Sequence, residues 1–217
     1  FNIENEEELY LLEKYGRDNK EKIKCNLRLN LDIDVDTHHY IKTSKKENKF
    51  GISLESVEKL LKKEFKYLHI NGFHFHLGSQ IKEVAPYIEA LKRIKEFSKK
   101  VGFQPETINI GGGFGITYSP EEKPLNIYNF GKKVTQFINN MGIKKLIIEP
   151  GRFIIGNTGI LVTKILYIKK RGEKTFIIVD AAMNDLIRPA LYGSYHEILP
   201  VKKGEERANI IKADIVG

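Results

Sequence analysis

With one cysteine, Cys25, in 217 residues, this chain has no possible intrachain disulfide. An oxidised, cross-linked framework is excluded, and a reducing cytoplasm is the expected compartment. No apolar run approaches the ~18 residues of a membrane-spanning helix. Repeats, low-complexity tracts and a Pro/Gly/Ser-rich linker are also missing. Neither common phosphate loop is present: there is no GxxxxGK(S/T), and Gly111, Gly113 and a later glycine do not complete a GxGxxG, so a nucleotide-binding fold is not the first choice. Positive charge is in excess, a formal +8, but the lysines are spread over helix faces (Lys59, Lys62, Lys63, Lys66; Lys92, Lys95, Lys99, Lys100) without a recognition motif. Neither nucleic acid nor a membrane is an expected partner. What remains is an ordinary globular composition, 41% apolar, long enough for one sizeable domain or parts of two. The chain opens on Phe1 without an initiator methionine and stops at Ile-Val-Gly217, which reads as mid-strand, so a piece of something longer is expected.

Asn109-Ile-Gly111-Gly112-Gly113-Phe114-Gly115 follows a short β-branched run. Side chains there would block positive φ or keep the backbone from an incoming group, so the run suits main-chain N–H groups closing on an anion, a phosphate first. A tight turn with no ligand is the plain alternative. The rest of the chain sets the context. Asn5, with Glu8 three residues on, caps a helix carrying Leu9, Leu12 and Leu11 or Tyr15 and ending near Gly16. Lys24–Asn30 alternates, with Cys25, Leu27 and Leu29 on one face and Asn26, Arg28 and Asn30 on the other. Residues 31–52, including Thr37-His-His-Tyr40, read as a long functional loop, and Ser53 caps a helix with Leu54, Val57, Leu60 and Leu61.

Ile70–Gly78 alternates again, with Phe73, Phe75 and Leu77 opposite Gly72, His74, His76 and Gly78. Helices follow over 84–101, with Ile88, Leu91, Ile94 and Phe97 spaced for burial and Gly102 as the stop, and over 126–141, carrying Ile127, Phe130, Val134, Phe137 and Ile138. Strands fall at 107–110 and 146–149, and the β/α alternation demands a parallel sheet with crossover helices. This order fits half of a (β/α)8 barrel and an open doubly wound sheet equally. After Gly156 the regime changes: Ile160–Ile168 and Thr175–Val179 meet across Lys170–Glu173 as a hairpin, opening an antiparallel β unit. The expected domains are 1–155 and 156–217.

Four successive strands end in polar or glycine-rich groups: Arg28/Asn30, His76-Leu-Gly-Ser79-Gln80, Gly111–Gly113 and Glu149-Pro150-Gly151-Arg152. In parallel α/β folds ligands sit at the C-terminal strand edge, so these groups are expected to converge on one site. His74 and His76 share a face, but no carboxylate stands at ligand spacing, so no metal is expected.

Taken together, His74-Phe-His-Leu-Gly-Ser-Gln80, Asn109-Ile-Gly-Gly-Gly-Phe-Gly115, Glu149-Pro-Gly-Arg152 and Asp180-Ala-Ala-Met-Asn-Asp-Leu-Ile-Arg-Pro-Ala-Leu-Tyr192 closely resemble the diaminopimelate decarboxylases, which are fold-type III pyridoxal-phosphate enzymes. Lys49-Phe-Gly-Ile and Thr37-His-His-Tyr fit the same pattern, and the resemblance covers the whole chain. It implies an alanine-racemase-like (β/α)8 barrel, then the start of a mainly antiparallel β-domain. It implies pyridoxal 5'-phosphate as cofactor, meso-diaminopimelate as substrate, L-lysine as product, and a homodimer with shared active sites. By the same resemblance Gly111, Gly112, Gly113 and Ser79 hold the phosphate, and Glu149, within Pro150-Gly151-Arg152, pairs with the pyridine nitrogen. His76 lies against the ring, and Arg152, Arg188 and Tyr192 contact substrate or phosphate, with Arg188 suited to a bidentate grip on a distal carboxylate.

Ala182, Phe153 and Ser44-Lys45 depart from the family's usual residues, but none has an implied role. The family's Schiff-base lysine is expected upstream of Phe1 and its Cys-Glu-Ser segment after Gly217, so this piece alone is expected not to decarboxylate. Other readings are a fold-type III decarboxylase for arginine or carboxynorspermidine, which Arg188 argues against, and a non-catalytic relative that binds partners. The second leaves the cofactor-site residues unexplained.

Overall fold

The computed structural model describes residues 1–33, 49–201 and 211–217. Thr37–Tyr40 and Ser44-Lys45 lie outside the described residues. The chain divides into two compact units, one of residues 1–116 and 123–156, the other of 117–122 and 157–217.

In the first unit strands β1 (Asn2–Ile3), β2 (Ile23–Arg28), β3 (Leu68–His74), β4 (Thr107–Asn109) and β5 (Lys145–Ile147) alternate with helices α1 (Glu6–Asn19), α2 (Leu54–Leu61), α3 (Ala85–Val101) and α4 (Ile127–Asn140), and α5 (Gly151–Ile155) follows β5. The five strands are parallel and stand side by side in chain order. One face is apolar: Leu27, Phe73 and Ile108 are buried with Leu9, Leu60, Leu91, Ile94, Phe97, Phe130 and Val134 from the helices. Burying those stripes of two periods, strand and helix, against each other is the main stabilising term. The opposite face carries Arg28, His74 and Asn109 in one register row, with Ile147 next in line. A sheet in unbroken chain order with its helices on the apolar side is a stretch of barrel wall, because a doubly wound sheet reverses its order and takes helices on both faces.

Three features of this unit differ from the expected pattern. β1 was not anticipated, since two residues carry no period. Gly16 does not end α1; the helix runs on to Asn19 and stops at Lys20 in the left-handed region (φ 56). Gly16 is glycine because a Cβ there would sit 2.8 Å from the Glu21 carbonyl and the Tyr67 Cβ. Ile127 is exposed, so the buried stripe of α4 is Phe130, Val134 and Ile138.

The second unit holds the hairpin β6 (Ile165–Arg171) and β7 (Lys174–Val179), helix α6 (Arg188–Tyr192) and β8 (Asp214–Val216). β6 and β7 are antiparallel while β8 joins β7 in parallel, so the sheet is mixed. The hairpin is displaced from the expected span: β6 begins at Ile165 and continues through Lys169, Lys170 and Arg171 to a turn containing Gly172 (φ 58). Asp180 explains its start, since its Oδ1 accepts from Thr163 Oγ1 at 2.6 Å and from Lys164 N at 2.8 Å. Lys170 and Arg171, expected in the turn, are instead an exposed strand end. Among the described residues no helix is long and apolar enough to cross a membrane.

Candidate functional site

The polar face of the first unit's sheet brings most of the expected residues together at the C-terminal strand ends. Asn109, 2% exposed, is the hinge of the arrangement. Its Nδ2 donates to Glu149 Oε1 at 2.7 Å, and its Oδ1 accepts from Gly111 N at 2.9 Å. Asn2 Nδ2 reaches the same Glu149 oxygen at 3.3 Å. The backbone of the two segments is also joined, with Glu149 N–H donating to Gly111 O at 2.8 Å. Among the described residues Glu149 Oε2 makes no hydrogen bond, and the side chain is 45% exposed. One carboxylate oxygen is thus anchored and the other is open to a ligand.

The glycine run is packed against its neighbours with no room for side chains. Gly111 and Gly113 have φ of 66° and 88°, and a Cβ on Gly111 would come within 2.5 Å of the Phe75 carbonyl. A Cβ on Gly112 would overlap the Glu149 carbonyl, and one on Gly113 the Gly78 carbonyl. Tyr87, buried on α3, donates its hydroxyl to Gly112 O at 2.7 Å, and burial pushes that phenol well above its ordinary range. Ile81 N–H donates to Gly113 O and Gly115 N–H to Ile81 O, both at 2.9 Å. The Gln80 side chain bonds both the carbonyl and the N–H of Ile116. The segment that follows Ser79 is therefore tied to the glycine run.

The expected phosphate role of all three glycine amides is narrowed by this geometry. Gly111 N–H is taken by Asn109, and Gly112 N–H donates to His76 Nδ1 at 3.2 Å. Gly113 N–H alone of the three has no acceptor among the described residues. Since His76 Nδ1 accepts, the proton of the neutral ring belongs on Nε2. Burial lowers the pKa of His76, Arg28 lowers it further, and Glu149, the Gly78 carbonyl and Glu4 oppose them.

His74 is 5% exposed and among the described residues neither ring nitrogen has a hydrogen-bond partner; its Nε2 lies 3.9 Å from Glu149 Oε1. Burial, helped by Arg28 and His76, pushes its pKa down to about 3. Arg28 itself pairs with Glu4 and lies 4.9 Å from the Phe50 ring centroid. Pro150 precedes α5, and Gly151 and Arg152 form its first turn. In the second unit Arg188 and Tyr192 stand together, with the guanidinium 5.6 Å from the Tyr192 ring. Among the described residues no group of three or more His, Cys, Asp or Glu is placed to hold a metal ion.

Residues 1–156 match the family model described as pyridoxal-dependent decarboxylase, pyridoxal binding domain. The chain belongs to the pyridoxal-dependent decarboxylases. Within this decarboxylase family it is 40% identical over 226 residues to the diaminopimelate decarboxylase of Aquifex aeolicus, covering 100% of the chain and 52% of that protein. It is 36% identical over 223 residues to that of Campylobacter jejuni, covering 100% of the chain and 54% of the relative. The crystal structure of the Helicobacter pylori diaminopimelate decarboxylase complexed with L-lysine superimposes with a TM-score of 0.88 at 34% identity, over 100% of the chain and 54% of that structure. The chain thus spans about half the length of the decarboxylases it matches.

The residues that sequence reasoning missed are the ones that hold others in place. Asn109 was legible only as part of a motif, and a polar residue inside a buried strand was the signal available. Tyr87 sits on the apolar stripe of α3, where its hydroxyl gave no hint of reaching Gly112. Gln80 follows Ser79 in the same motif and has φ 63, which no sequence pattern announces.

Proposed function

We propose that the full-length protein carrying this chain is a carboxy-lyase that converts meso-diaminopimelate into L-lysine and carbon dioxide with pyridoxal 5'-phosphate. The observation that carries the reading is the Asn109 bridge, which ties a glycine cradle without room for a Cβ to a carboxylate with one oxygen open. The buried, unpartnered nitrogens of His74 beside that carboxylate fit the same reading, since buried polar atoms without partners are uncommon unless a ligand or water completes them. A phosphorylated pyridine needs such a pair of receptors.

In this reading Gly113 N–H and the Ser79 hydroxyl hold the phosphate, with Gly111 and Gly112 shaping the cradle. Glu149 receives the pyridine N–H on its open oxygen, and Asn109 and Asn2 keep the carboxylate from rotating. His76, fixed through Nδ1, presents its ring to the cofactor. When bound, pyridoxal phosphate supplies an electron sink for the pair left behind as carbon dioxide departs. Arg152 contacts substrate or phosphate, and Arg188 with Tyr192 binds the distal carboxylate, where a guanidinium fork offers two parallel hydrogen bonds. A homodimer with shared sites and a cytoplasmic location belong to the same proposal.

The test is a substrate panel on the full-length protein with pyridoxal phosphate, following carbon dioxide and amine products. Release from meso-diaminopimelate with lysine formed is the expected result. Release from arginine, ornithine or carboxynorspermidine but not from meso-diaminopimelate identifies another decarboxylase, and no release from any of them favours a binding role.

A further inference from the structure

Arg188, at the start of α6, is held within the second unit by more than its helical neighbour. Its guanidinium carbon lies 5.4 Å from the Tyr118 ring centroid and 5.6 Å from that of Tyr192, and Nη2 donates to Ser194 Oγ at 3.0 Å. Among the described residues it has no carboxylate partner, unlike Arg28, which pairs with Glu4. Tyr192 is one turn along the same helix, so that contact is local. Tyr118 is brought from the 117–122 segment, a distant part of the sequence. Its N–H donates to Glu122 Oε2 at 3.0 Å, and Glu122 N–H donates to Ser119 O at 3.2 Å, which closes a turn and fixes the tyrosine backbone. The His196 ring braces the Tyr118 ring, with centroids 5.8 Å apart.

A guanidinium laid on an aromatic face keeps its charge and its in-plane donors while losing rotamer freedom. Fixed in that way and, among the described residues, without a carboxylate, it is a preorganised receptor for one, because the ordering entropy is already spent before a ligand arrives. We propose that Tyr118 is a positioning residue that holds Arg188 for the distal carboxylate of the substrate and so favours dicarboxylic amino acids; this rests on the decarboxylase reading above. Tyr118 acts through the face of its ring, and its hydroxyl is dispensable.

The probe is pimelate, a seven-carbon dicarboxylate without amino groups, with heptanoate as the monocarboxylate control, each titrated calorimetrically into the full-length protein. Tyr118→Leu is expected to weaken pimelate by about three- to tenfold, to leave heptanoate unchanged, and to raise KM for meso-diaminopimelate by a similar factor with a smaller change in kcat. Tyr118→Phe is expected to retain wild-type pimelate affinity. A third form, with 3,4,5-trifluorophenylalanine at position 118, keeps the shape of phenylalanine while depleting the ring face of electrons, and is expected to bind pimelate more weakly than Tyr118→Phe. It serves even where Tyr118→Leu fails to fold. Unchanged pimelate affinity in Tyr118→Leu, a Tyr118→Phe variant as impaired as Tyr118→Leu, or equal affinity of the fluorinated and Phe forms overturns the proposal, as does a wild type that does not distinguish pimelate from heptanoate. A wild type that ignores meso-diaminopimelate yet binds pimelate in a Tyr118-dependent way removes the substrate assignment and leaves the role of Tyr118 standing.

Discussion

Replacing Asn109 by leucine keeps the side-chain volume roughly constant and removes both hydrogen bonds of the bridge. The bond to Glu149 is charge-assisted but its acceptor side chain is 45% exposed, which places it at the low end of the ~1.5–3 kcal/mol range for such bonds. At the other end Gly111 N–H is left buried without an acceptor, which costs about 1–3 kcal/mol. Together Asn109→Leu is expected to destabilise the full-length apoprotein by about 3–4 kcal/mol, read as a fall in the urea midpoint with an unchanged m-value. Release of Glu149 should also weaken pyridoxal phosphate in equilibrium dialysis by at least about tenfold, the equivalent of one 1.4 kcal/mol hydrogen bond to a charged group. Asn109→Asp adds a discriminating variant. It sets a second carboxylate beside Glu149, so one of the pair must bind a proton more tightly than in the unfolded chain, and the defect should grow as pH rises through ~4–7 and ease on acidification. A change of less than ~0.5 kcal/mol with unaltered cofactor affinity in Asn109→Leu would refute the bridge as the organiser of this site.

The buried imidazole of His74 gives a pH prediction: an unfolded histidine titrates near ~6.5 and the folded one near about 3, so between those values the unfolded state holds the extra proton. Stability should fall on acidification by up to about 1.4 kcal/mol per pH unit from this residue, with His76 contributing in the same direction, and His74→Gln should flatten that limb; superimposable acid-denaturation curves would contradict it. Gly113→Ala combines positive φ with a Cβ that overlaps the Gly78 carbonyl, so a loss above ~2 kcal/mol and of phosphate binding is expected, checked by denaturation and by competition with inorganic phosphate. Tyr87→Phe leaves the Gly112 carbonyl without its donor and should cost about 1–3 kcal/mol with little change in core packing; a wild-type urea midpoint would show that water replaces the hydroxyl.

Alternation in Lys24–Asn30 and Ile70–Gly78 was enough to locate both strands and their buried faces, because residues of period two face helices on one side only, but not their ends: β3 runs from Leu68 to His74, and Phe75–Gly78 lie beyond it. It was not enough to separate barrel wall from open sheet. That distinction lies in strand order, a long-range property which β1 to β5 settle by standing in unbroken sequence. Likewise the glycine run was legible as a cradle, while the direction of its amides was not. Gly111 and Gly112 turned out to donate inward to Asn109 and His76, and that depends on register across β3, β4 and the Glu149 turn. The hairpin was displaced since Lys170 and Arg171, next to Gly172, were read as turn yet continue β6 as an exposed strand end, and Asp180 marks where the strand begins. Tyr118 was invisible for a related reason: a six-residue segment between a glycine run and a helix gives no sign that it belongs with the second unit.

The most direct measurement is a crystal structure of the full-length protein with pyridoxal phosphate bound. The account predicts the phosphate within hydrogen-bonding distance of Gly113 N–H and the Ser79 hydroxyl, the pyridine nitrogen on the open oxygen of Glu149, and Asn109 still bridging Glu149 to Gly111. Cofactor density away from the glycine run, or a pyridine nitrogen turned from Glu149 toward another side chain, would contradict it.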